Sequence, residues 1–500
     1  MLMKEVLFKI IHLIFIFYSV SGEEQDEGER ENELTYTTSI RALAELRDIE
    51  NSYMKHLSNY VNSLQKKVKF LKKYLESLTR ENIDSEKYVK NPLNIFGLVR
   101  RSHEDWPKIN AYIRSNDSFK DDLNEMHNYF NRTPNSQDME EALWGMHRIE
   151  SIYDLQAWDM ANGVISTHKL PSQMSATDCL AVANFMYNQS EFRRAAQWYR
   201  IALHFIQKEK NGMAAEFYGP KREDLKKMFV ISRLQEGSID DLPSYLDELS
   251  QKPDIPLTYL KPKPLPTPLQ IGCRGEYPNQ SRLVCRYNTT TTPFMRIAPL
   301  KEEEISKDPL IWLYHDVLFD SEMALLTKNL TREEMIQGYT NNQTTPDKGY
   351  RIFQVKVYEG DGGKLDRTLV NRMTDISGLD VGNHTYLARA NYGLGTHFQE
   401  HSDYVDLREN PDLGSEGDRL FTFLFYASDV EMGGATIFPA ANISIKPKKG
   451  SALFWYNLHN DWEPNPLSRH AVCPMVLGNR WILNKSMLSH RQIFLKLCYK

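Results

Sequence analysis

A proline-rich segment in the middle of the chain most constrains its fold. Residues 251–272 include QKPDIPLTYLKPKPLPTPLQ, in which the prolines stand too close together for a regular helix or a central strand. Apolar residues recur at helical spacing before this segment and in short alternating runs after it. We therefore predict an α+β multidomain chain in which a semi-rigid linker joins helical domains to a β domain.

The strictest apolar repeat of the helical part lies between residues 54 and 78. Two seam positions recur in heptads and hold Met54, Leu57, Val61, Leu64, Val68, Leu71, Leu75 and Leu78. A sustained heptad repeat predicts a left-handed pair of helices, and we assign residues 23–140 to a helical coiled-coil domain. The pattern leaves open whether the partner helix is a second copy of the chain or a later segment of the same one.

Residues 141–250 predict a second helical domain. The run CLAVANFMYNQSEFRRAAQWYRIAL has small and aromatic residues at the spacing of one tetratricopeptide unit, which flanking helices must complete. Tyr153, Tyr187 and Trp198 are candidates to line a peptide-binding groove. The alternative interpretation is that they are core aromatics.

Residues 273–500 predict the β domain. Short alternating strands such as YRIFQVKVYEG and RLFTFLFYASD are separated by turns rich in glycine, asparagine and aspartate, which favours a sandwich or a barrel-like sheet.

A candidate metal site lies in this β domain. His401 and Asp403 in NYGLGTHFQEHSDYVD stand two residues apart, so they share one face of a strand. An isolated pair of this kind is usually an exposed polar face, but His470 in SRHAVCPMVLGNRW supplies a third ligand. Two histidines and one carboxylate are typical of non-haem Fe(II) oxygenases, whose open metal positions admit dioxygen and a co-substrate. Zinc is the chemical alternative.

Arg480, ten residues after His470, favours iron. The co-substrate 2-oxoglutarate chelates iron through its keto-acid end, and an arginine can hold its distal carboxylate through two hydrogen bonds. Tyr392 and Thr422 are hydroxyl donors that could complete this pocket, and Lys485 is the nearby substitute cation.

The N-terminus predicts the secretory pathway. Residues 1–22 place Lys4 before an apolar run and put Val20 and Gly22 at a plausible cleavage site, which is typical of a signal peptide with Glu23 as the mature start. No later apolar run is long enough to cross a bilayer, so we expect a soluble lumenal protein without a transmembrane segment. A formal net charge of −5 gives no reason to propose nucleic-acid binding.

An oxidising lumen permits disulfides and glycosylation. The most economical pairing of the five cysteines joins Cys273 to Cys285 and Cys473 to Cys498, which leaves Cys179 as a buried free thiol. Glycosylation sequons occur at Asn116, Asn188, Asn279, Asn288 and Asn329.

A series of motifs in one order along the chain carries a family resemblance. They are NPLNIFGLVRR, the CRGE…CRY pair, GLDV, ANYGLG, EHSDY, LFYASDVEMGGATIFPA, KPKKGSALFWYNL and RHAVCPMVLGNRW. Together they make the chain similar to the α subunit of collagen prolyl 4-hydroxylase, an Fe(II)/2-oxoglutarate dioxygenase of the endoplasmic reticulum.

This resemblance implies a fold, an assembly and an activity. It implies a double-stranded β-helix (jelly-roll) catalytic domain, a helical peptide-binding domain, an N-terminal dimerisation segment, and a likeness to α2β2 assemblies with protein disulfide isomerase as the β subunit. His401, Asp403 and His470 are then the iron ligands, and Arg480 is the 2-oxoglutarate anchor. The implied reaction hydroxylates peptidyl proline in collagen-like chains while 2-oxoglutarate becomes succinate and CO2, with L-ascorbate restoring over-oxidised iron.

The sequence departs from the family pattern at several positions. Arg480 replaces a lysine, Phe398 a tyrosine and Ser486 a tryptophan. His397 and Glu400 also differ, and Ile231 and Leu234 stand where the family has groove tyrosines. Two alternatives therefore stay open: a hydroxylase of a different peptide substrate, and a weakly active or non-catalytic peptide-binding subunit.

Overall fold

The computed structural model describes eleven stretches of the chain. These are residues 36–78, 105–114, 120–130, 134–208, 221–278, 284–328, 336–337, 353–358, 363–382, 387–405 and 417–496. All of them belong to one compact unit, residues 35–500. The predicted signal peptide, Cys498 and the sequons at Asn116, Asn279 and Asn329 lie outside the described residues.

Helices dominate the part of the chain before the proline-rich segment. They are α1 (Ile40–Leu78), α2 (Trp106–Arg114), α3 (Lys120–Phe130), α4 (Ser136–Tyr153), α5 (Ala157–Ala161), α6 (Ala176–Asn188), α7 (Phe192–Lys208), α8 (Arg222–Glu236) and α9 (Leu242–Ser250). Two of them begin at side-chain caps, because Asn135 and Ser175 accept hydrogen bonds from the backbone of Asp138 and Asp178 respectively. A small hairpin of β1 (Val164–Ile165) and β2 (His168–Lys169) follows α5.

The long helix α1 has an intrachain partner, but not along its heptad seam. His56 Nδ1 lies 2.7 Å from Asp122 Oδ1 of α3, and the Tyr74 and Trp106 rings meet edge to face with centroids 5.9 Å apart. Helices α2 and α3 therefore run antiparallel to α1 and pack on the face of α1 that carries His56 and Tyr74. Much of the seam stays exposed, with exposed fractions of 42% at Val61 and 50% at Val68, while Leu64 and Leu71 are half-buried.

The second helical region has an apolar core formed mainly by α6, α7 and α8. Trp198 is fully buried in this core and donates its indole Nε1–H to Glu150 Oε2 over 2.8 Å. Cys179 is a buried free thiol, as predicted, and burial raises its pKa to about 12.

The predicted linker divides into two parts. Its first part packs on the helices, where Gln197 Nε2 donates to the Pro253 carbonyl and Leu257 is buried. Its second part is exposed as far as Thr267, which caps a short helix, α10 (Pro268–Arg274).

Strands make up most of the region after α10. In chain order they are β3 (Cys285–Asn288), β4 (Leu300–Lys307), β5 (Leu310–His315), β6 (Ile336–Gln337), β7 (Gln354–Tyr358), β8 (Leu387–Tyr392), β9 (Phe398–His401), β10 (Arg419–Tyr426), β11 (Val430–Gly433), β12 (Thr436–Phe438), β13 (Ile443–Ile445), β14 (Ala452–Tyr456), β15 (His470–Val472), β16 (Met475–Gly478) and β17 (Arg480–Leu488). Helices α11 (Asp320–Lys328) and α12 (Lys364–Ser377) interrupt them.

These strands form two main antiparallel sheets. The order is β3-β4-β5-β14-β10-β17-β8-β7-β6 in the larger sheet and β13-β12-β15-β9 in the smaller one, while β11 pairs with β16. Side chains of both sheets meet in one core, including Tyr392 and Trp455 from the larger sheet and Phe438 and Val472 from the smaller. The other face of the larger sheet packs against α11 and α12.

The disulfide differs from the predicted pairing. Cys273 of α10 is bonded to Cys473, which follows β15, so the predicted Cys273–Cys285 and Cys473–Cys498 bonds are wrong. The reason is packing: α10 lies against β12, and both bonded cysteines are buried in one cluster with Ala471. Cys285, in contrast, is an exposed free thiol on strand β3 at the edge of the sheet.

Helix α4 connects the helical region to the sheets. Arg148 Nε donates to the Gly395 carbonyl over 2.7 Å, and Gly145 lies so close to Leu394 that a Cβ atom at this position would come within 2.7 Å of the Leu394 carbonyl oxygen. Of the helices described, none has both the length and the apolar character needed to cross a membrane.

Candidate active site

The three predicted metal ligands lie together at one end of the smaller sheet. Strands β9 and β15 pair with His401 directly opposite His470, and Asp403 follows β9. One potential ligand atom from each residue lies within 4.8 Å of the other two. The Nε2 atoms of His401 and His470 are 3.8 and 3.9 Å from Asp403 Oδ1. We call these three residues the triad.

Backbone carbonyls orient both imidazoles. Nδ1 of His401 is 2.8 Å from the Gln399 carbonyl oxygen, and Nδ1 of His470 is 3.1 Å from that of Ser468. A carbonyl oxygen only accepts, so these contacts place the ring proton on Nδ1 and leave the Nε2 lone pair on the side of Asp403. This is the arrangement that a metal-binding histidine needs.

The carboxylate of the triad is held in its charged form. Burial by itself raises the pKa of Asp403, but the nearby His470 and His401 and a hydrogen bond from Thr422 outweigh it and hold the pKa below its usual value. The Thr422 hydroxyl donates to Asp403 Oδ2 over 2.7 Å, so Oδ1 is the oxygen that faces the histidines. An ionised carboxylate beside two imidazoles fits a divalent metal ion.

Aromatic rings enclose the two histidines. Phe398 stacks on His401 with centroids 3.6 Å apart, while Trp455 and Phe438 lie 4.9 and 5.5 Å from the His470 ring. Phe398 is one of the departures from the family pattern, and it packs directly on a candidate ligand. Among the other departures, Ser486 Oγ lies 3.3 Å from the Thr422 hydroxyl, and Glu400 forms an ion pair with Arg469.

Arg480 lies fully buried between the two sheets. Its guanidinium carbon is 4.4 Å from the centroid of the Tyr392 ring, and its NH2 group donates to Thr436 Oγ1 over 3.2 Å. Nε and NH1 are buried without a hydrogen-bond partner within the described part of the chain. Buried donors left unused are unfavourable, so this position fits the carboxylate of a bound anion.

The hydroxyl groups of Thr436 and Tyr426 lie beside Arg480 and were not predicted from the sequence. Thr436 Oγ1 lies 2.8 Å from the hydroxyl of Tyr426, whose pKa is raised by burial in spite of the nearby guanidinium. The alternation of side chains on β10 would have placed Tyr426 on the same face as Thr422. Thr436 comes from β12 of the smaller sheet, and the packing of the two sheets that brings it to Arg480 is a contact that no local pattern signals.

Thr422 was predicted to complete the Arg480 pocket, but the structure places it elsewhere. It lies opposite Ser486 in the pairing of β10 with β17, at the other end of β17 from Arg480. Its hydroxyl belongs to the triad instead, because it donates to Asp403.

Lys485 lies on the opposite face of β17 from Arg480. Its neighbours Leu483 and Met487 pack into the core beneath α11 and α12, and burial lowers the pKa of Lys485 to about 8 although Asp366 of α12 raises it. The substitute cation considered from the sequence therefore cannot share the Arg480 pocket without a change of strand register.

The structure gives each of the three predicted groove aromatics its own set of contacts. Trp198 is a core residue, and Tyr153 donates its hydroxyl to the Pro474 carbonyl at the contact between α4 and the sheets. Tyr187 is half-buried and meets Phe192 edge to face at 5.4 Å. Leu234, at a position of the family's groove tyrosines, packs against the helical core.

Comparison with known proteins first defines the class of the domain around the triad. Residues 387–487 match the 2OG-Fe(II) oxygenase superfamily, so the metal and co-substrate of this domain are Fe(II) and 2-oxoglutarate. This match favours Fe(II) over the zinc alternative. Residues 39–167 match the N-terminal region of the prolyl 4-hydroxylase alpha-subunit.

Individual relatives extend the likeness along the chain. Prolyl 4-hydroxylase subunit alpha-1 of Homo sapiens is 27% identical over 518 residues, which cover 93% of this chain and 95% of the relative. Subunit alpha-1 of Caenorhabditis elegans is 29% identical, covering 90% of this chain and 88% of the relative. The chain thus resembles prolyl 4-hydroxylase α subunits over nearly its whole length.

One solved structure among the matches is the viral collagen prolyl hydroxylase of Paramecium bursaria Chlorella virus-1 in its 2OG complex. It is 19% identical and covers 35% of this chain and 94% of its own, with a TM-score of 0.29. A score this low adds nothing to the description of the fold.

Proposed function

We propose that the protein is the catalytic α subunit of a prolyl 4-hydroxylase. It hydroxylates peptidyl proline of a collagen-like chain with Fe(II), dioxygen and 2-oxoglutarate. The observation that carries the proposal is the combination of the triad with the buried Arg480, whose Nε and NH1 lack partners among the described residues. A metal-binding triad and a separate buried cation are the two requirements of a co-substrate that chelates iron at one end and carries a carboxylate at the other.

Each residue of the site has a defined task in this reaction. His401, Asp403 and His470 would hold the metal, and Arg480 with Thr436 would bind the distal carboxylate of 2-oxoglutarate. When bound, iron supplies the oxidative chemistry: one oxygen atom of O2 enters the proline C–H bond and the other enters succinate, as CO2 leaves. The rings of Phe398, Trp455 and Phe438 pack against the histidines and would limit the access of water to them.

The proposal includes an assembly and a compartment. We propose a lumenal protein of the endoplasmic reticulum, with L-ascorbate as reductant and protein disulfide isomerase as β subunit in an α2β2 assembly. The exposed seam of α1 supports α–α pairing, since apolar residues such as Val61 and Val68 recur on a face that α2 and α3 leave open.

A hydroxylase of a different peptide substrate is the second candidate. It is supported by the burial of Trp198 in the helical core, by the hydrogen bond of the Tyr153 hydroxyl to the Pro474 carbonyl, and by Phe398 in place of a tyrosine beside the triad. In that case the iron chemistry is unchanged and only the peptide differs. A weakly active or non-catalytic peptide-binding subunit is a separate alternative.

Succinate release and hydroxyproline formation test these candidates together. The full chain, co-expressed with protein disulfide isomerase, is supplied with Fe(II), ascorbate and 2-oxoglutarate, with and without a collagen-like peptide. Succinate and peptide hydroxyproline in equal amounts are expected. Succinate without hydroxyproline would point to a different peptide, and the absence of both at any peptide concentration would contradict a catalytic role.

A further inference from the structure

A buried chain of hydrogen bonds leads away from the triad. Thr422 donates to Asp403 Oδ2 over 2.7 Å, and its oxygen accepts a hydrogen bond from Asn457 Nδ2 over 3.0 Å. Both Thr422 and Asn457 are fully buried. Asn457 follows β14, on which Trp455 pairs directly with Thr422 of β10.

The direction of this chain is fixed by the chemistry of its two ends. An ionised carboxylate only accepts hydrogen bonds, and the Nδ2 group of an asparagine only donates them. The single proton of the Thr422 hydroxyl must therefore point at Asp403. Ser486 Oγ lies 3.3 Å from the same hydroxyl and is an alternative partner for its proton, whereas the Asn457 donor fills an acceptor position of the Thr422 oxygen.

Asn457 also touches the second arm of the triad through its backbone. Its carbonyl accepts hydrogen bonds from the Asn465 backbone N–H over 3.0 Å and from Ser468 Oγ over 3.4 Å. The Ser468 carbonyl is the group that orients Nδ1 of His470. One residue is therefore linked to Asp403 through its side chain and to His470 through its backbone.

We infer that Asn457 is a positioning residue of the metal site, acting through Thr422. Its amide sets the Thr422 hydroxyl, the hydroxyl fixes Asp403 Oδ2, and Oδ1 is thereby held toward the histidines. Asn457 itself touches neither metal nor substrate. The inference rests on the proposed function of the triad as an iron site, and outer partners of this kind typically change metal affinity by about 10- to 100-fold.

Metal affinity measured with Co(II) alone tests the inference without turnover. The full chain, co-expressed with protein disulfide isomerase and stripped of metal, is titrated by calorimetry and by the visible absorption of bound Co(II). Thr422→Val and Asn457→Leu are expected to weaken Co(II) binding by about 10- to 100-fold. Thr422→Ser keeps the hydroxyl and should bind within about threefold of the original chain.

Two further variants make the outcome decisive. Asn457→Ala removes the donor and adds neither volume nor charge, so it should weaken Co(II) binding even where Asn457→Leu fails to fold. Ser486→Ala removes only the competing acceptor and should leave affinity unchanged. Asn457→Ala binding Co(II) as tightly as the original chain would overturn the inference. If the original chain and His470→Ala bind Co(II) equally, the iron site itself is misassigned.

Discussion

The guanidinium of Arg480 lies over the ring of Tyr392, 4.4 Å from its centroid, with Nε and NH1 still without hydrogen-bond partners among the described residues. The aromatic ring stabilises the buried charge from one side. The unused donors are then available to a bound carboxylate. This relationship leads to the first prediction.

Arg480→Met should raise the dissociation constant for 2-oxoglutarate by roughly 30-fold to several thousand-fold, because it leaves the distal carboxylate without its cation, a loss on the order of 2 to 5 kcal/mol. Arg480→Lys should retain most of the affinity. Calorimetric titration with 2-oxoglutarate measures both. Lys485→Met is the matched control, since Lys485 lies on the other face of β17, and a large loss of affinity in that variant would contradict the assignment.

His470→Ala should abolish specific Fe(II) or Co(II) binding, because it removes one of three ligands whose atoms lie within 4.8 Å of one another. Turnover of 2-oxoglutarate should disappear with it. His459→Ala, at an exposed position in the turn before β15, is the control and should bind metal normally. Unchanged metal stoichiometry in His470→Ala would remove this residue from the site.

Peptide mapping under non-reducing conditions should recover a fragment that joins Cys273 to Cys473, a bond that spans 200 residues of sequence. Because closing so long a loop restricts the unfolded chain, Cys473→Ser should lower the free energy of unfolding by about 2 to 5 kcal/mol. Cys285→Ser should have little effect, since that thiol is exposed. Recovery of a Cys273–Cys285 fragment instead would restore the local pairing.

Val61→Asp combined with Val68→Asp should disrupt α–α pairing, because the two valines lie on the exposed seam of α1 and burial of each in a dimer is worth roughly 1.5 to 3 kcal/mol. Analytical ultracentrifugation of the co-expressed assembly reports the change. Ser58→Asp with Asn62→Asp adds the same charge on the exposed flank of the seam and serves as the control. An unaltered sedimentation coefficient in the valine double variant would place the α–α contact elsewhere.

Lys485 should give the stability of the protein a distinct pH dependence. Burial lowers its pKa from 10.5 to about 8, so below pH 8 the folded protein holds a buried ammonium group. Between pH 8 and 10.5 the unfolded chain keeps a proton that the folded protein has released, and the contribution of this group to stability therefore rises with pH.

Lys485→Met should consequently stabilise the protein at pH 7 by at most about 3 kcal/mol, and this gain should shrink as the pH approaches 10. Thermal unfolding at several pH values measures the difference between the two chains. An equal shift in Tm at pH 7 and pH 10 would show that lost packing, not the buried charge, governs the effect.

Local patterns in the sequence determined the ligand types, the helices and the strand character of the chain. The spacing of two residues between His401 and Asp403 predicted two ligands on one side of the chain, although strand β9 ends at His401, and the helical periods before the proline-rich segment predict helices that the structure contains. Both are properties of a few consecutive residues. The motifs around them also sufficed to identify the prolyl 4-hydroxylase family as the one that the chain resembles.

Tertiary structure decided every feature that depends on residues far apart in the chain. The heptads predicted a paired helix but could not say that α2 and α3 take another face and leave much of the seam exposed. Cys273 lies near Cys285 in sequence, yet the packing of α10 on β12 brings it to Cys473. The sequence predicts a hydroxyl at Thr422 on a strand but not its partner. The strand register places Thr422 opposite Ser486, where it donates to Asp403 and lies at the other end of β17 from Arg480. Periodicity fixes which face a side chain occupies, whereas its partner on that face is set by the pairing and packing of distant elements.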